Sequence, residues 1–503
     1  MTAAYPTDIA YPATFQPKLA PAHLAAVCAL RGVPAPAVDR PYAFCELGAG
    51  TGFTTNLLAA ANPFAEFHAV DLNPEHVAAG RELALAGALP NVRHHAMGFA
   101  EALDARLPDF DFIALHGVWT WVDDAARRAV VRFLADKLRP GGLVYVSYTA
   151  RPGMDAVAAV RRLVDEAGLL GHGEPTAARV ARVRGFLDRL VAAGPALARR
   201  APALVDYVGT LGRMAEASAI HDFLAPGWSA VHHREVRRAM AAAGCVFAGD
   251  ADLAMDVPDL ALEPDAASLV AAMPDAAAEA TKDLLTQRPF RRDVYRRPRP
   301  GAAPPPFGGL MWLLRATVDA VAGTALPAGR HGPIPDLLAA MASRLERAPI
   351  DAASLLAQPE IARFPPAAAA AQLAALIAAG TAVPAVRPPA VLPAGLPRLS
   401  PFNRAALSRP IAPDNARLLA SPATGGGVAL DQTTGYLLWA VTTAEAGNAA
   451  ALLAARLAAE GRTLSVGGRT VGDAAGLATL LAPQLDRFAG GDLRRLMRLG
   501  VVA

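Results

Sequence analysis

Five short apolar runs, at 42–47, 67–71, 92–96, 111–116 and 143–148, alternate with helix-like stretches near 54–61, 74–88 and 123–138. Strands and helices alternating at this spacing predict βαβ units, and so a parallel sheet with helices on its faces. Asn73-Pro74 puts proline at the first position of the second helix, where its missing N–H is no loss. Arg139-Pro-Gly-Gly142 ends the third helix and feeds the strand Leu143–Tyr148. From 151 to 230 the pattern turns helical, and then the sheet resumes. A helix over Arg234–Ala243 stops at Gly244, a strand follows at Cys245–Ala248, and Pro289–Tyr295 reads as the last strand. Residues 151–230 are therefore expected to form a helical insertion or lid on the substrate side, because ligands of such sheets bind beyond the strands' carboxyl ends. The fold class is α/β, with a core over 41–150 that 231–300 completes.

The two ends read differently. Residues 1–40 form an N-terminal cap, in which Tyr5, Tyr11 and Phe15 sit among prolines ahead of a helix over Pro21–Gly32. Such a cap covers a sheet edge, closes over a ligand with Tyr11 or Phe15, or does both. Arg297–Pro306 is a proline-rich linker and the clearest domain boundary. Beyond it 307–390 is expected to be a helical domain, and 386–397 is a second proline-rich break. A mainly helical, winged-helix-like domain follows over 398–503, on the strength of a Leu-x-x-Leu pattern near 372–380 and 491–500. No basic recognition helix accompanies that pattern, so these units are expected to contact protein rather than DNA.

Phe44-Cys45-Glu46-Leu47-Gly48-Ala49-Gly50-Thr51-Gly52 is the stretch around which this framework is arranged. Glycines at 48, 50 and 52 let the chain turn sharply and let a ligand approach main-chain N–H groups. The next strand ends in Asp71, a carboxylate placed to accept from ribose hydroxyls. Dinucleotide folds usually read Gly-x-Gly-x-x-Gly. The spacing Glu46-x-Gly48-x-Gly50-x-Gly52, together with Leu138-x-Pro-Gly-Gly142 ahead of a strand, resembles class I S-adenosylmethionine (SAM) methyltransferases and their Rossmann-like sheet. That resemblance implies SAM as cofactor, with Glu46, Gly48, Ala49, Gly50, Gly52, Asp71, Leu72 and His116 around it. Many members carry an acid after the third strand. Here Ala96-Met-Gly-Phe-Ala100 has none, so the adenine is expected on backbone near Gly98 and Phe99 and on the Phe99 ring.

Composition narrows the rest. The net charge is +3 with acids and bases interspersed, which gives no basic stripe for nucleic acid. Cys28, Cys45 and Cys245 form neither a disulfide framework nor a CxxC pair, which fits a reducing compartment. No metal site is expected. No basic-then-apolar leader opens the chain, and the Ala-rich run 367–379 is too short to span a bilayer. The cytoplasm is the expected location. Lysine occurs only at 18, 137 and 282, which an arginine-favouring codon bias explains.

Methyl transfer from a sulfonium is an in-line displacement in which positioning can supply most of the rate. A lysine acceptor must first lose a proton, and an apolar pocket favours that loss. His116 and Trp119, after the fourth strand, are the leading candidates to line the transfer site, though Trp119 and Trp121 also suit packing at a strand-to-helix junction. Tyr148 either aims its hydroxyl at an acceptor or caps the sheet. His221, beside Asp222 and with Trp228 nearby, is a candidate within the insertion. His116-Gly-Val-Trp-Thr-Trp-Val, Tyr145-Val-Ser-Tyr-Thr, His221-Asp-Phe-Leu and Phe290-Arg-Arg-Asp look like bacterial methyltransferases with a methyltransferase regulatory domain. That group includes rickettsial protein lysine methyltransferases that modify outer-membrane protein. Thr149 and Gly153-Met154 depart from its pattern. The resemblance implies a SAM-dependent enzyme acting on a protein side chain, with lysine favoured. A small-molecule or peptide natural-product methyltransferase and a silent SAM-binding scaffold are the alternatives. Oligomeric state is not legible.

Overall fold

The computed structural model describes residues 15–169, 175–214, 219, 228–301, 304, 307–318, 321, 332–387, 397–408, 416–444, 448–466 and 469–502. Its centre is a seven-stranded sheet: β1 (Ala43–Leu47), β2 (Glu66–Asp71), β3 (Val92–Ala96), β4 (Phe110–Leu115), β5 (Leu138–Thr149), β6 (Val246–Asp250) and β7 (Phe290–Arg296). The strand order is β3-β2-β1-β4-β5-β7-β6. The first five strands are parallel, and β7 runs antiparallel to both of its neighbours.

Side-chain alternation along these strands divides the core into two layers. Phe44, Phe67, Phe112 and Tyr145 face α1 (Pro21–Leu30) and α2 (Phe53–Ala61). Cys45, Ile113, Val146 and Tyr148 face α5 (Asp124–Lys137) and the helix His233–Ala242. Between these helices in sequence lie α3 (Pro74–Ala86), whose Asn73 side chain caps the Glu75 amide, and α4 (Phe99–Asp104), which the hydropathy pattern does not reveal. β5 starts earlier than expected: it takes in Leu138 to Gly142, whose irregular register against β4 keeps the turn residues on the sheet.

Among the described residues of the insertion, α6 (Asp155–Glu166), α7 (Thr176–Ala193), α8 (Pro195–Arg200) and α9 (Pro202–Arg213) bury Val157, Val164, Leu187 and Leu211 in a small core of their own. The insertion's last strand of chain is stitched to the carboxyl end of the sheet. Ser229 N donates to Thr120 O at 2.9 Å, and Ala150 pairs in parallel with Val231.

The proline-rich stretch after 296 does not separate two cores. One hydrophobic cluster runs from Phe44 and Leu57 through Trp312, Met341 and Leu373 to Phe402, Leu419 and Leu438. The reason lies in α2, which buries residues on every side, including Thr54, Asn56 and Leu57. A helix buried all round needs a layer on both faces. The hairpin β11 (Arg417–Ser421) to β12 (Gly426–Leu430) supplies the second one, and Asn62 Nδ2 donates to Gly425 O at 3.0 Å. The 307–390 region, expected to be helical, also holds a three-stranded sheet from β8 (Met311–Leu314), β9 (Ile350–Asp351) and β10 (Ala382–Ala385). Among the described residues, no helix is long and apolar enough to cross a membrane.

Candidate active site

The turn after β1 is built by three left-handed glycines, Gly48 (φ 73°), Gly50 (φ 54°) and Gly52 (φ 65°). Two of them are closed from behind. A Cβ on Gly48 would stand 2.5 Å from Val118 Cγ2, and one on Gly52 would stand 2.5 Å from the His94 ring. Nothing lies within 4 Å of a Cβ on Gly50. That opening is where a ligand can reach the loop. Gly48 N and Ala49 N are spent on Val70 O, which staples the turn to β2.

Asp71 meets this loop directly. Its Oδ2 accepts from Gly50 N at 2.7 Å, while its Oδ1 accepts from Asn73 N at 2.9 Å and lies 3.3 Å from His76 Nδ1. A carboxylate has about four acceptor positions; Asn73 N and His76 engage Oδ1, so the capacity left for a hydroxyl donor lies on Oδ2. Leu72, next along, is 66% exposed, and Gly98 faces its Cδ1. Across the mouth the Phe99 ring comes 3.9 Å from the Cβ position of Gly48. Leu72 and Phe99 thus flank one apolar slot beside the loop. The Gly98 amide, expected to hold a base, is instead taken by Glu101 Oε2 at 2.7 Å. The acid missing from 96–100 appears one residue later, as a helix cap.

Glu46 is buried under the turn and accepts a short hydrogen bond from Thr55 Oγ1. Burial pushes its carboxyl up to about 7, against the opposing Thr55 bond and with help from Asp71. Glu46 therefore braces the loop from below. His94, which the sequence reading passed over, wedges Gly52 against Gly80 and bonds Asn56 Oδ1 at 3.1 Å.

The other half of the crevice forms where β4 and β5 end and the antiparallel β7 begins. Register pairs Tyr145 with Val294, Ser147 with Arg292 and Thr149 with Phe290, so these side chains share the face of His116. His116 Nδ1 lies 2.9 Å from Tyr145 Oη, and Gly117 N donates to Ser147 Oγ at 2.9 Å. Phe290 stands edge-on to His116 with centroids 6.1 Å apart, and Trp121 is 6.2 Å from Phe290. Arg292 covers the Phe290 ring at 4.9 Å and binds Asp252 Oδ2 at 3.0 Å, while Lys18 is ion-paired to Asp252 Oδ1. Burial first, then the positive charges of Arg292 and Lys18, pull the His116 ring down to about 3. His116 is neutral at physiological pH.

Two candidates, Tyr148 and Trp119, are turned away from the crevice face. Tyr148 points to the opposite face, as alternation on β5 demands: its ring is fully buried and its hydroxyl donates to Asp293 Oδ2 at 2.5 Å. Asp293 belongs to a buried network with His233 and Arg291, and Arg291 in turn binds Glu279 and Asp283. Trp119 is a core residue, 5% exposed among Val130 and Phe133. His221 lies outside the described residues, as do Tyr5 and Tyr11. Trp228, half-buried, packs with the insertion core. Phe15 is also core, wedged against Leu57 and Gly427. The neighbouring Gln16 N fastens the cap to Thr54 Oγ1 at 3.1 Å. Sequence reasoning gave Lys18 and Asp252 no site role, since no spacing signals them, and Phe290 and Arg292 carried only the Phe-Arg-Arg-Asp signature.

Sheet order, glycine turn and strand-end carboxylate are those of the Rossmann-like methyltransferase fold. Residues 45–144 match the family described as "Methyltransferase domain" and residues 216–297 the one described as "Predicted methyltransferase regulatory domain". The chain matches both families, the second directly after the span of the first and its insertion. Protein sll1526 of Synechocystis sp. is 30% identical over 294 residues, 58% of this chain and 58% of that relative. Protein RP789 of Rickettsia prowazekii is 29% identical over 144 residues, 29% of this chain and 26% of its own length. The chain thus spans well under two thirds of these curated relatives. The structure of PKMT2 from Rickettsia typhi in complex with AdoHcy superposes over 98% of this chain and 99% of that one, with a TM-score of 0.73 at 16% identity.

Proposed function

We propose that this protein transfers the methyl group of SAM to a protein side chain, with the lysine amine as acceptor. The observation that carries the cofactor half is the approach of Asp71 to Gly50, 2.7 Å apart across the open side of the turn. The ribose hydroxyls fall to Asp71, the base to the slot between Leu72 and Phe99, and the amino-acid portion to the glycine loop over Glu46. When bound, SAM supplies an electrophilic methyl carbon on its sulfonium. The chain's own residues do the rest. Phe290, Trp121 and the neutral His116 give an aromatic wall along which an alkyl chain can lie. Arg292 and Lys18, both felt by His116, disfavour a further positive charge and so help an incoming ammonium shed its proton. The likeness to Rickettsia typhi PKMT2 is consistent with a protein substrate.

The test is incubation with methyl-labelled SAM and fractionated bacterial lysate, followed by hydrolysis and amino-acid analysis. Label in methylated lysine is the expected result. Label confined to small molecules favours the natural-product reading, and SAM binding without any labelled product favours the scaffold.

A further inference from the structure

A neutral histidine carries its proton on one ring nitrogen or the other, and the two forms do opposite things. A bare nitrogen facing the crevice accepts a hydrogen bond, whereas a protonated one donates. In His116 the nitrogen Nδ1 is engaged inside the protein, 2.9 Å from the hydroxyl of the fully buried Tyr145. Nε2 has no hydrogen-bond partner among the described residues and is not sealed in, so it is the nitrogen left to the crevice.

The protons around Tyr145 choose between the two forms. Ser147 follows Tyr145 on the same face of β5, and neither residue has exposed surface. Gly117 N can only donate, and it gives its proton to Ser147 Oγ at 2.9 Å. Ser147 hydrogen-bonds Tyr145 in turn: burial raises the Tyr145 phenol, and the Ser147 hydroxyl opposes that shift, as a donor to the phenol oxygen does. The Tyr145 proton then has His116 Nδ1 as its acceptor, and every donor is matched, in one direction from the Gly117 amide to the imidazole. A proton on Nδ1 would reverse the last link. One of the two hydroxyl protons would then lack an acceptor among the described residues, in a place with no exposed surface. A buried donor without a partner is costly, and native interiors rarely leave one so.

We infer that Tyr145 is a positioning residue, which fixes His116 in its Nε2–H form so that the ring meets the crevice as a neutral hydrogen-bond donor. In that form it can hold an oxygen of a bound ligand. It has no lone pair there with which to take a proton. An amine acceptor therefore sheds its proton to water rather than to this ring, a loss that the positive charges of Arg292 and Lys18 beside it favour. The role in the reaction rests on the methyl-transfer reading; the position of the proton does not.

The test uses the full chain with nitrogen-labelled histidine, and His116→Asn identifies the His116 signals among the 11 histidines. Long-range proton–nitrogen correlation spectra at neutral pH are expected to show the His116 proton on Nε2 and a bare, hydrogen-bonded Nδ1. Tyr145→Phe keeps the ring and so the packing. It should move Nδ1 to the position of an unbonded nitrogen and let some of the Nδ1–H form appear. Its kcat should fall about tenfold, for the loss of one orienting hydrogen bond, with KM for SAM within about twofold of wild type. A proton on Nδ1, or on both nitrogens, in the wild-type protein overturns the inference. So does a Tyr145→Phe spectrum identical to that of wild type, or a changed spectrum with kcat unaltered. Should the spectra come out as expected while neither protein transfers methyl groups, the methyl-transfer reading is what fails, and the assigned proton position stands.

Discussion

Asp71 Oδ2 accepts the amide of Gly50 at 2.7 Å, twenty-one residues earlier in the chain. One carboxylate thus does two jobs: it fixes the turn and keeps acceptor capacity facing the crevice. Replacing it by alanine removes a charged acceptor and loosens Gly50 together. Asp71→Ala is expected to weaken SAM binding by more than about tenfold. Calorimetry checks this, and an unchanged Kd would refute the ribose contact.

The three glycines of the turn should not respond alike. At Gly48 a Cβ meets Val118 at 2.5 Å in a left-handed backbone, so Gly48→Ala should lower both stability and cofactor affinity. At Gly50 the backbone is also left-handed but the space is open. Gly50→Ala should cost about 1 kcal/mol of stability while losing most of its SAM affinity, because the methyl projects where the ligand approaches. Thermal unfolding read beside SAM titration separates the two.

Tyr148 donates into the Asp293 network and makes no contact with the crevice face. Tyr148→Phe should therefore lower stability by about 1–2 kcal/mol and leave kcat near wild type. A selective fall in kcat, with stability intact, would return the hydroxyl to the reaction. Asp293→Ala should be far worse, roughly 3–5 kcal/mol, since it strands Arg291 in the interior.

Glu46 gives a pH signature. Its folded carboxyl titrates near 7, against an ordinary value of 4.5. Between those values the folded state holds the extra proton, so stability falls as pH rises from about 4.5 to 7. Glu46→Gln cannot titrate and should flatten that part of the profile, as denaturant midpoints at pH 5 and pH 8 would show. A slope equal in both proteins would contradict a buried, protonated Glu46.

His116, held near 3, adds no titration of its own to the pH dependence of methyl transfer around neutrality. The pH–rate profile of His116→Asn should keep the wild-type shape at lower amplitude. A limb near pH 6–7 present only in wild type would show that the ring charges during turnover.

Much of this protein is written locally. The glycine spacing, Asp71 at a strand end and the Asn73-Pro74 start depend on neighbours within a few residues, and the structure has the turn, the strand and the helix there. The β5 and β7 faces are different. Which side of the sheet Tyr148 occupies follows from alternation, but that Asp293 waits for it depends on an antiparallel pairing across 145 residues. Likewise Lys18 and Asp252 meet only because the cap folds back beside the end of β6.

By itself, then, the chain's order of residues determined the α/β sheet, the left-handed turn and the carboxylate at the end of β2, since backbone sterics and hydrophobic period act over short range. Only the tertiary structure decided which side chains line the crevice at the ends of β4 and β5, and that the C-terminal region shares the core through α2. Those outcomes rest on burial and charge pairing between distant segments, and no local pattern encodes such meetings.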